Sequence, residues 1–417
     1  MCAPGRLYQM YSAEPLPHFV DEYLAYLYEA HPTNAAFDGV HLHDDLLEDL
    51  GRQAIDAQIR ALGGFARRLA AIDPTRLTDT ERLERPALES NIRSRLFELE
   101  QVRTWERSLQ HYAEILATSL AGQVLFDYAP LAERARRVHS KLRQVPRMIQ
   151  SARDNIKDPP GIYVKVGLES LRGTLRFIND DLPRAFGDLG DLHLLGDLSD
   201  AATEAVTAIA GLIEYLEKDL APRSKGSFRL GREKFEQKFQ LDEGITVGSD
   251  RLLSIAMREL QATQEEFRRV ASRLNGGDPM AAWQRAKQEH PAAGQLVPVA
   301  QQQLAELQDF IARQRIITLP EGAPVAVLPT PRFYRWTSAS MWTPGPFEMR
   351  AQRAFYYITD VDPSWPAERQ AEHLRDFSYG ALWSISMHEV FPGHFLHYQH
   401  LRQIDGKLRK SMLFSST

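Results

Sequence analysis

Cysteine is nearly absent from this chain of 417 residues, in which Cys2 is the only one. A single cysteine forms no intrachain disulfide and cannot supply the ligands of a cysteine-based zinc site. Long apolar runs are missing as well, since no stretch approaches the ~18 residues that a transmembrane helix requires, and the start lacks the apolar core of a signal peptide. We therefore expect a soluble, cytoplasmic protein without a membrane partner.

The net charge is small, at -5, with an isoelectric point near 6.3. Proteins that bind nucleic acid usually carry a clear positive excess, so the charge gives no reason to expect nucleic acid as a partner. The length allows two or three ordinary domains or one large helical domain. The sequence leaves the oligomeric state open.

Apolar residues recur at helical spacing through about the first three hundred residues, and proline- or glycine-rich breaks separate the segments. The third segment is interrupted or begins near Pro86, and no repeat of fixed period is visible. The predicted helices cover residues 19–29, 55–72, 80–106, 130–155, 164–179, 201–220 and 249–274.

The pattern changes near Ile316, where short segments rich in β-branched and aromatic residues alternate with prolines and glycines. Three of these segments, at 325–328, 335–342 and 354–359, predict the strands of a small sheet. Helical spacing then returns over about residues 367–390.

The fold prediction is a mainly α protein, a large multi-helix domain with a small β-sheet at about residues 325–360. The sheet is expected next to a helix that carries a zincin-like motif. Residues 1–315 form the helical region and residues 316–417 form the sheet with the metal-motif helices, together one integrated catalytic domain.

Residues 388–394 read His-Glu-Val-Phe-Pro-Gly-His, and four of the 13 histidines lie between His388 and His400. Zinc hydrolases hold their metal with histidines beside a glutamate that acts as general base. The second His of the usual motif lies four positions after the first, on the same helix face. Here the spacing is six, about 120° around a straight helix. Pro392 and Gly393 predict a bend between two helices that brings the imidazoles together.

In this interpretation His388 and His394 are zinc ligands and Glu389 is the general base, with one zinc per chain in the complete protein. Neutral imidazole binds zinc through a ring nitrogen, and the carboxylate accepts a proton from the attacking water. A helix end that happens to be rich in histidine is the alternative. His397 is a candidate for a ligand, a support for a ligand or a substrate contact, and equally for a helix-surface residue.

Two further residues are candidates for contacts with a substrate. Tyr379, nine residues before His388, carries a hydroxyl that could donate a hydrogen bond to a developing oxyanion. Arg335, at the start of the predicted edge strand, could bind a peptide carboxylate. Packing in the core or on the surface is the plainer interpretation of each.

A catalytic zinc usually has three protein ligands, and the third has no motif here. The acidic residues considered for it are Asp405, Glu348, Asp360 and Asp376. Asp405 is followed directly by Gly406, which is typical of a turn. The apolar residues 412–414 lie close to Thr417, so we expect the chain to be truncated there.

Residues 329–417 resemble a bacterial family known as domain-of-unknown-function family 885, which is grouped with the gluzincin-like zinc metallopeptidases. Residues 388–394 match its His-Glu-x-x-Pro-Gly-His hallmark. Residues 341–347 and 415–417 support the match, and residues 35–41 with Asp44-Asp45 support it more weakly. The resemblance spans nearly the whole chain, but only the histidine motif is highly specific.

This resemblance implies a zinc metallopeptidase whose third ligand lies in a segment that the sequence does not contain. In the family, a stretch similar to Ser415-Ser416-Thr417 precedes a helix built around Glu-Gly-Trp, and its Glu looks like that ligand. Family members often carry Gln at the position of His397. We therefore expect this chain to bind metal poorly or to be inactive.

The predicted function is hydrolysis of peptide bonds, in short peptides, by water activated by zinc and Glu389. One alternative is a zinc amidohydrolase that acts on a non-peptide amide or ester. The other is a non-catalytic helical binding protein with a degenerate site.

Overall fold

Helices dominate the computed structural model, which describes residues 14–275, 278–321, 325–331, 335 and 337–414. The helices before the sheet are α1 (Leu16–Ala30), α2 (Pro32–Asp38), α3 (Arg52–Ala71), α4 (Asp79–Phe97), α5 (Thr104–Arg107), α6 (Leu109–Leu125), α7 (Leu131–Asn155), α8 (Gly161–Arg176), α9 (Leu182–Ala185), α10 (Leu192–Tyr215), α11 (Ala221–Arg223), α12 (Arg232–Glu243), α13 (Ser249–Asn275), α14 (Pro279–Gln288) and α15 (Leu296–Gln314). After them come β1 (Val325–Pro329), β2 (Ala339–Trp342), β3 (Ala354–Ile358), α16 (Ala367–Asp376), α17 (Tyr379–Glu389), α18 (His394–Arg402) and α19 (Lys407–Lys410). This order confirms the prediction of a mainly α protein with a small sheet beside the motif helix.

Parts of the predictions fall on residues outside those described, namely Cys2, residue 336 of the predicted second strand, and the stretch 415–417. None of the described helices combines the length and the apolar character that crossing a membrane requires.

Two predicted helices are divided in the structure. In the helix predicted at 80–106, α4 runs to Phe97 and continues as a π-helical turn, Glu98–Val102. Arg103, with a φ of 58°, then redirects the chain into α5. The helix predicted at 367–390 is two helices, because Ser378 begins α17 by accepting a hydrogen bond from a backbone amide of its first turn.

Further differences concern the helical region, where the sequence pattern leaves α12, α14 and α15 unpredicted. Pro86 lies inside α4 instead of at its start, and the buried Leu88 and Ile92 hold the helix in place beyond it. Helix α6 is not predicted by the sequence pattern. It is apolar on most of its surface, so its residues form no amphipathic stripe that would reveal it.

The sheet has the strand order β1-β3-β2, with β1 parallel and β2 antiparallel to the central β3. Tyr356 is the partner of Val327 on one side and of Met341 on the other. Strand β2 is therefore an edge strand of the described sheet, and its outer edge has no strand partner there. An extended peptide can add to such an edge through backbone hydrogen bonds.

The sheet is buried on both faces. Val327, Tyr356 and Ile358 pack against α15 and the C-terminal helices. Trp342 and Tyr357 pack into the larger core formed by α6, α7, α8 and α10. Burial of each large side chain contributes roughly 1.5–3 kcal/mol, so the sheet is fixed between the two helical layers.

The two regions predicted at 1–315 and 316–417 are joined by a buried contact at Asp38. Its carboxylate accepts hydrogen bonds from the Tyr28 hydroxyl at 2.9 Å, the Ser411 hydroxyl at 2.5 Å and the Met412 amide at 2.8 Å. Burial raises the pKa of Asp38, and the hydrogen bonds oppose that rise. The segment after α18 thus packs on the N-terminal helices.

A second link between the regions is an imidazole held between two carboxylates. The Nδ1 atom of His41 lies 2.8 Å from Asp44, and its Nε2 atom lies 2.6 Å from Glu348, which follows the edge strand. The ring stacks on Tyr128 with 3.8 Å between centroids. Burial alone would lower the pKa of His41, but the two hydrogen bonds outweigh it and raise the pKa to about 9. The imidazolium form therefore ties the helical region to the sheet.

Replacing His41 with Asn is expected to lower the free energy of unfolding by on the order of 3 kcal/mol near pH 6 and by much less above the folded pKa. Because the folded pKa is raised to about 9, the stabilisation by the charged ring is complete at low pH and is lost as the pH rises through that value. Urea unfolding at several pH values measures the difference. His43→Asn, in the same turn, is the control. An effect of His41→Asn that does not change with pH would contradict the expectation.

Candidate metal centre

Helix α17 carries the first two residues of the motif on its last turn. Leu382 and Ser386 bury its inner face. The last turn leaves His388 exposed and Glu389 half-buried. The helix ends because Val390, with φ of -121° and ψ of -74°, departs from helical geometry.

Residues 391–393 fold the chain back onto the end of α17. The peptide bond that precedes Pro392 is cis. A Cβ atom on Gly393 would lie 1.7 Å from the carbonyl oxygen of His388, so only glycine fits this approach. Helix α18 then begins at His394. The predicted bend between two helices is confirmed.

This turn brings the imidazoles of His388 and His394 into contact. Their ring centroids are 4.7 Å apart and their planes are inclined by 85°. Within the described part of the chain, neither imidazole makes a hydrogen bond or an ion pair. Two adjacent imidazoles with free ring nitrogens are donors that suit zinc, so this part of the site fits the metal.

The carboxyl group of Glu389 lies beside the two histidines and against the edge strand. The backbone amide of Met341 on β2 lies close to it and favours its charged form. Burial raises the pKa of Glu389, and the neighbouring His394 and His388 oppose that rise. A carboxylate with a raised pKa is the stronger base, which suits it to accept a proton.

Buried hydroxyl groups support this end of α17 from the sheet. The hydroxyl of Tyr356 lies 3.2 Å from that of Ser386, one turn before the motif. Burial raises the pKa of Tyr356, and the nearby charge of Glu389 adds to the rise. The phenol therefore stays protonated and acts as a fixed hydrogen-bonding group under the helix.

A third ligand for the metal is not found among the described residues. No three His, Cys, Asp or Glu residues there that include His388 and His394 place their ligand atoms within 4.8 Å of one another. The acids considered from the sequence have other contacts: Glu348 binds His41, Asp360 accepts from the Gly294 amide at 3.2 Å, Asp376 pairs with Lys287 at 2.9 Å, and Asp405 is exposed after α18. The described site therefore offers two imidazoles and one carboxyl group.

One cluster of surface side chains has ligand atoms close enough together to hold a metal ion, but a neighbouring arginine argues against a metal there. Glu14, His18 and Glu22 lie together at the start of α1. The guanidinium group of Arg68 pairs with both glutamates. A cation is already supplied by the chain, so this cluster is a surface ion-pair network.

The remaining predicted residues lie at different distances from the motif. His397 follows His394 by one turn of α18 and is exposed, with its ring stacked on Tyr398 at 5.5 Å. Tyr379 is the first residue of α17, roughly 13 Å along the helix axis from His388. The structure thus brings His397 near the pair of ligands and leaves Tyr379 at the other end of the helix.

Arg335 lies at the end of the sheet rather than beside the motif. Its guanidinium group donates to the carbonyl oxygen of Thr330 at 3.3 Å and to the carboxylate of Asp362 at 3.4 Å. Thr330 follows β1 directly. These contacts occupy part of the side chain that the sequence prediction assigned to a peptide carboxylate.

Sequence reasoning misses the contact between Glu389 and Met341. The contact is made by a backbone amide, and a backbone amide carries no residue-type signal. Its only trace in the sequence is that an edge strand is predicted beside the motif helix. The bridge of His41 to Glu348 has no signal either, because 307 positions separate the two residues.

Comparison with known proteins places the chain in a bacterial family. No curated protein sequence matches it. A solved structure from Shewanella oneidensis, of a protein thought to be a lipoprotein and of unknown function, superposes with a TM-score of 0.73 at 23% identity, covering 96% of this chain and 74% of that one. Another, thought to be a lipoprotein from Colwellia psychrerythraea, gives a TM-score of 0.68 at 11% identity, covering 93% and 74%. These likenesses show a shared fold. The family profile described as "Bacterial protein of unknown function (DUF885)" matches residues 32–417, and the chain belongs to that family.

Proposed function

We propose that this protein is a zinc-dependent hydrolase that cleaves peptide bonds in short peptides. One observation carries the proposal: the turn at residues 391–393 places the free imidazoles of His388 and His394 side by side, next to the carboxyl group of Glu389. A pair of histidine ligands beside a glutamate is the arrangement that metallopeptidases use.

Each group has a separate task in the proposed reaction. Zinc, held by His388 and His394, would act as a Lewis acid and lower the pKa of its bound water toward neutral pH. Glu389 accepts a proton from the attacking water and returns it to the leaving amine. The nearby Met341 amide favours the charged carboxylate of Glu389, the form that can accept a proton.

The edge strand favours an extended peptide as the substrate. Strand β2 carries the amide that contacts Glu389, and an extended chain beside its outer edge would pass close to that carboxylate. A cavity of about 380 Å³ lies between Trp342 of β2 and the helices α6 and α8. No residue of the motif lines this cavity, so the preference for an extended peptide rests on the edge strand alone.

The zinc content of the purified chain tests the metal site. We expect up to about one zinc per chain at saturation, lost when His388 and His394 are both replaced by Ala. Because the described residues offer two histidine ligands, affinity should be weak. His400→Ala on the same helix is the control, since His400 Nε2 contacts the Thr318 carbonyl oxygen instead. Zinc binding that survives the double substitution would refute the site.

Two other functions stay open and are separated by different measurements. A zinc amidohydrolase would share the same residues, and a panel of peptides, esters and non-peptide amides decides between the substrates. A non-catalytic binding protein is favoured by the lack of a third ligand among the described residues. In that case replacing Glu389 would change neither turnover nor the metal content.

A further inference from the structure

A second cavity, of about 410 Å³, lies between α1, α3, α4 and α6 and shares no lining residue with the metal centre. Much of its wall is apolar, formed by Leu27, Leu50, Ile55, Leu62, Leu99, Trp105 and Ile115. Three basic side chains also line it, His31, Arg95 and His111. Its volume lies in the range of sites that enclose small molecules.

No acidic side chain neutralises the charge of Arg95 in the described part of the chain. Its Nε atom donates to the side chain of Asn91 at 3.0 Å, and the Tyr23 hydroxyl donates to the same oxygen at 2.8 Å. Among the described residues, no carboxylate oxygen lies within ion-pair distance of its guanidinium group. Arg95 is half-buried, and burial lowers its pKa. A partly desolvated guanidinium group without an anion is unfavourable, and its planar set of donors suits a carboxylate.

The acidic residues on the cavity wall are engaged elsewhere. Glu48 accepts hydrogen bonds from the amide and the hydroxyl of Thr33, both at 2.9 Å. Glu98 accepts from Thr104 and lies 3.4 Å from Lys238. Neither carboxylate therefore serves as the counter-ion of Arg95.

The two histidines of the cavity have free ring nitrogens. No imidazole nitrogen of His31 or His111 makes a hydrogen bond within the described part of the chain. Burial lowers the pKa of His31 to about 3, and the charge of Arg95 adds to that effect. Burial also lowers the pKa of His111. Both rings are neutral in the empty cavity and can each donate one hydrogen bond to an anion.

We propose that this cavity binds a small carboxylate with an apolar body. The carboxylate takes the two-pronged position in front of Arg95, with His31 and His111 as further donors. The apolar body lies against the wall that includes Leu62 and Trp105. A neutral molecule of the same shape gains the apolar contacts but leaves the guanidinium group without an anion.

Phenylpropionate and its neutral amide, phenylpropionamide, test the proposal by titration calorimetry on the full chain. We expect the carboxylate to bind at least about tenfold more tightly than the amide, because its hydrogen bonds to the guanidinium are charge-assisted. Arg95→Gln should remove this preference, and Arg95→Lys should keep part of it. Arg93→Gln is the matched control, since Arg93 lies on the same helix, is 63% exposed and pairs with Glu89.

The fluorescence of Trp105 gives a second measurement that does not depend on an Arg95 variant. Binding in this cavity should change the emission of the wild-type protein, and Trp105→Phe should remove that change. Equal affinity for the acid and the amide would overturn the proposal, as would a preference that persists in Arg95→Gln. The same titration on the His388→Ala/His394→Ala protein should give an unchanged affinity, so the result is independent of the metal centre.

Discussion

Replacing Glu389 with Gln is expected to lower kcat/KM for peptide hydrolysis by about 10²–10⁴-fold while the zinc content stays the same. The substitution keeps the size of the side chain and removes only its ability to take up a proton. The amide oxygen can still lie beside the Met341 backbone amide, so the local structure should be retained. The imidazoles of His388 and His394 are untouched.

The measurement pairs steady-state hydrolysis of a short peptide with elemental analysis of the same sample. Glu372→Gln is the control, because Glu372 is exposed on the neighbouring α16. Equal activity of Glu389→Gln and the parent would exclude Glu389 as the general base. Loss of zinc together with activity would show instead that Glu389 is a ligand.

The bend at the motif could be predicted because its cause is local. Proline disfavours helical geometry at the residue before it and lacks an amide hydrogen, and with Gly393 directly after it these properties favour a helix end. Pro86 and Pro146, which have no glycine after them, lie inside α4 and α7. The structure places that end at Glu389 and starts the next helix at His394. The strands were predictable for the same reason, since β-branched and aromatic residues favour them without help from distant residues.

Contacts between distant segments could not be predicted in this way. Glu348 was a candidate metal ligand by residue type, yet it binds His41 because folding brings the two together. The unpaired charge of Arg95 could not be predicted either, because it depends on which of the described carboxylates lie near it in the folded chain. One sequence shows the residue types but not the neighbours that fix their protonation and partners.

Replacing Gly393 with Ala is expected to lower the free energy of unfolding by about 3 kcal/mol or more and to abolish zinc binding. Glycine is required here for space, since its φ of -75° lies outside the left-handed region. The added methyl group would meet the His388 carbonyl oxygen at 1.7 Å and the Met387 carbonyl oxygen at 2.4 Å. Both are backbone atoms of a packed helix, so the turn itself must move.

A shift of the turn changes the position of His394 relative to His388, because α18 starts directly after Gly393. Urea unfolding and zinc titration measure the two consequences separately. Gly380→Ala, at the start of α17, is the control, because a Cβ there meets nothing within 4 Å. That variant should be as stable as the parent or more stable by up to about 1 kcal/mol.

The comparison of the two glycines separates a general effect on α17 from an effect on the turn. If Gly393→Ala folds with unchanged stability and binds zinc as the parent does, the close approach of residues 391–393 to the helix end is not what positions the ligands. If stability falls while zinc affinity is kept, the two imidazoles can bind zinc without this turn. Only a loss of both stability and zinc binding supports a metal centre whose geometry depends on the turn at Gly393.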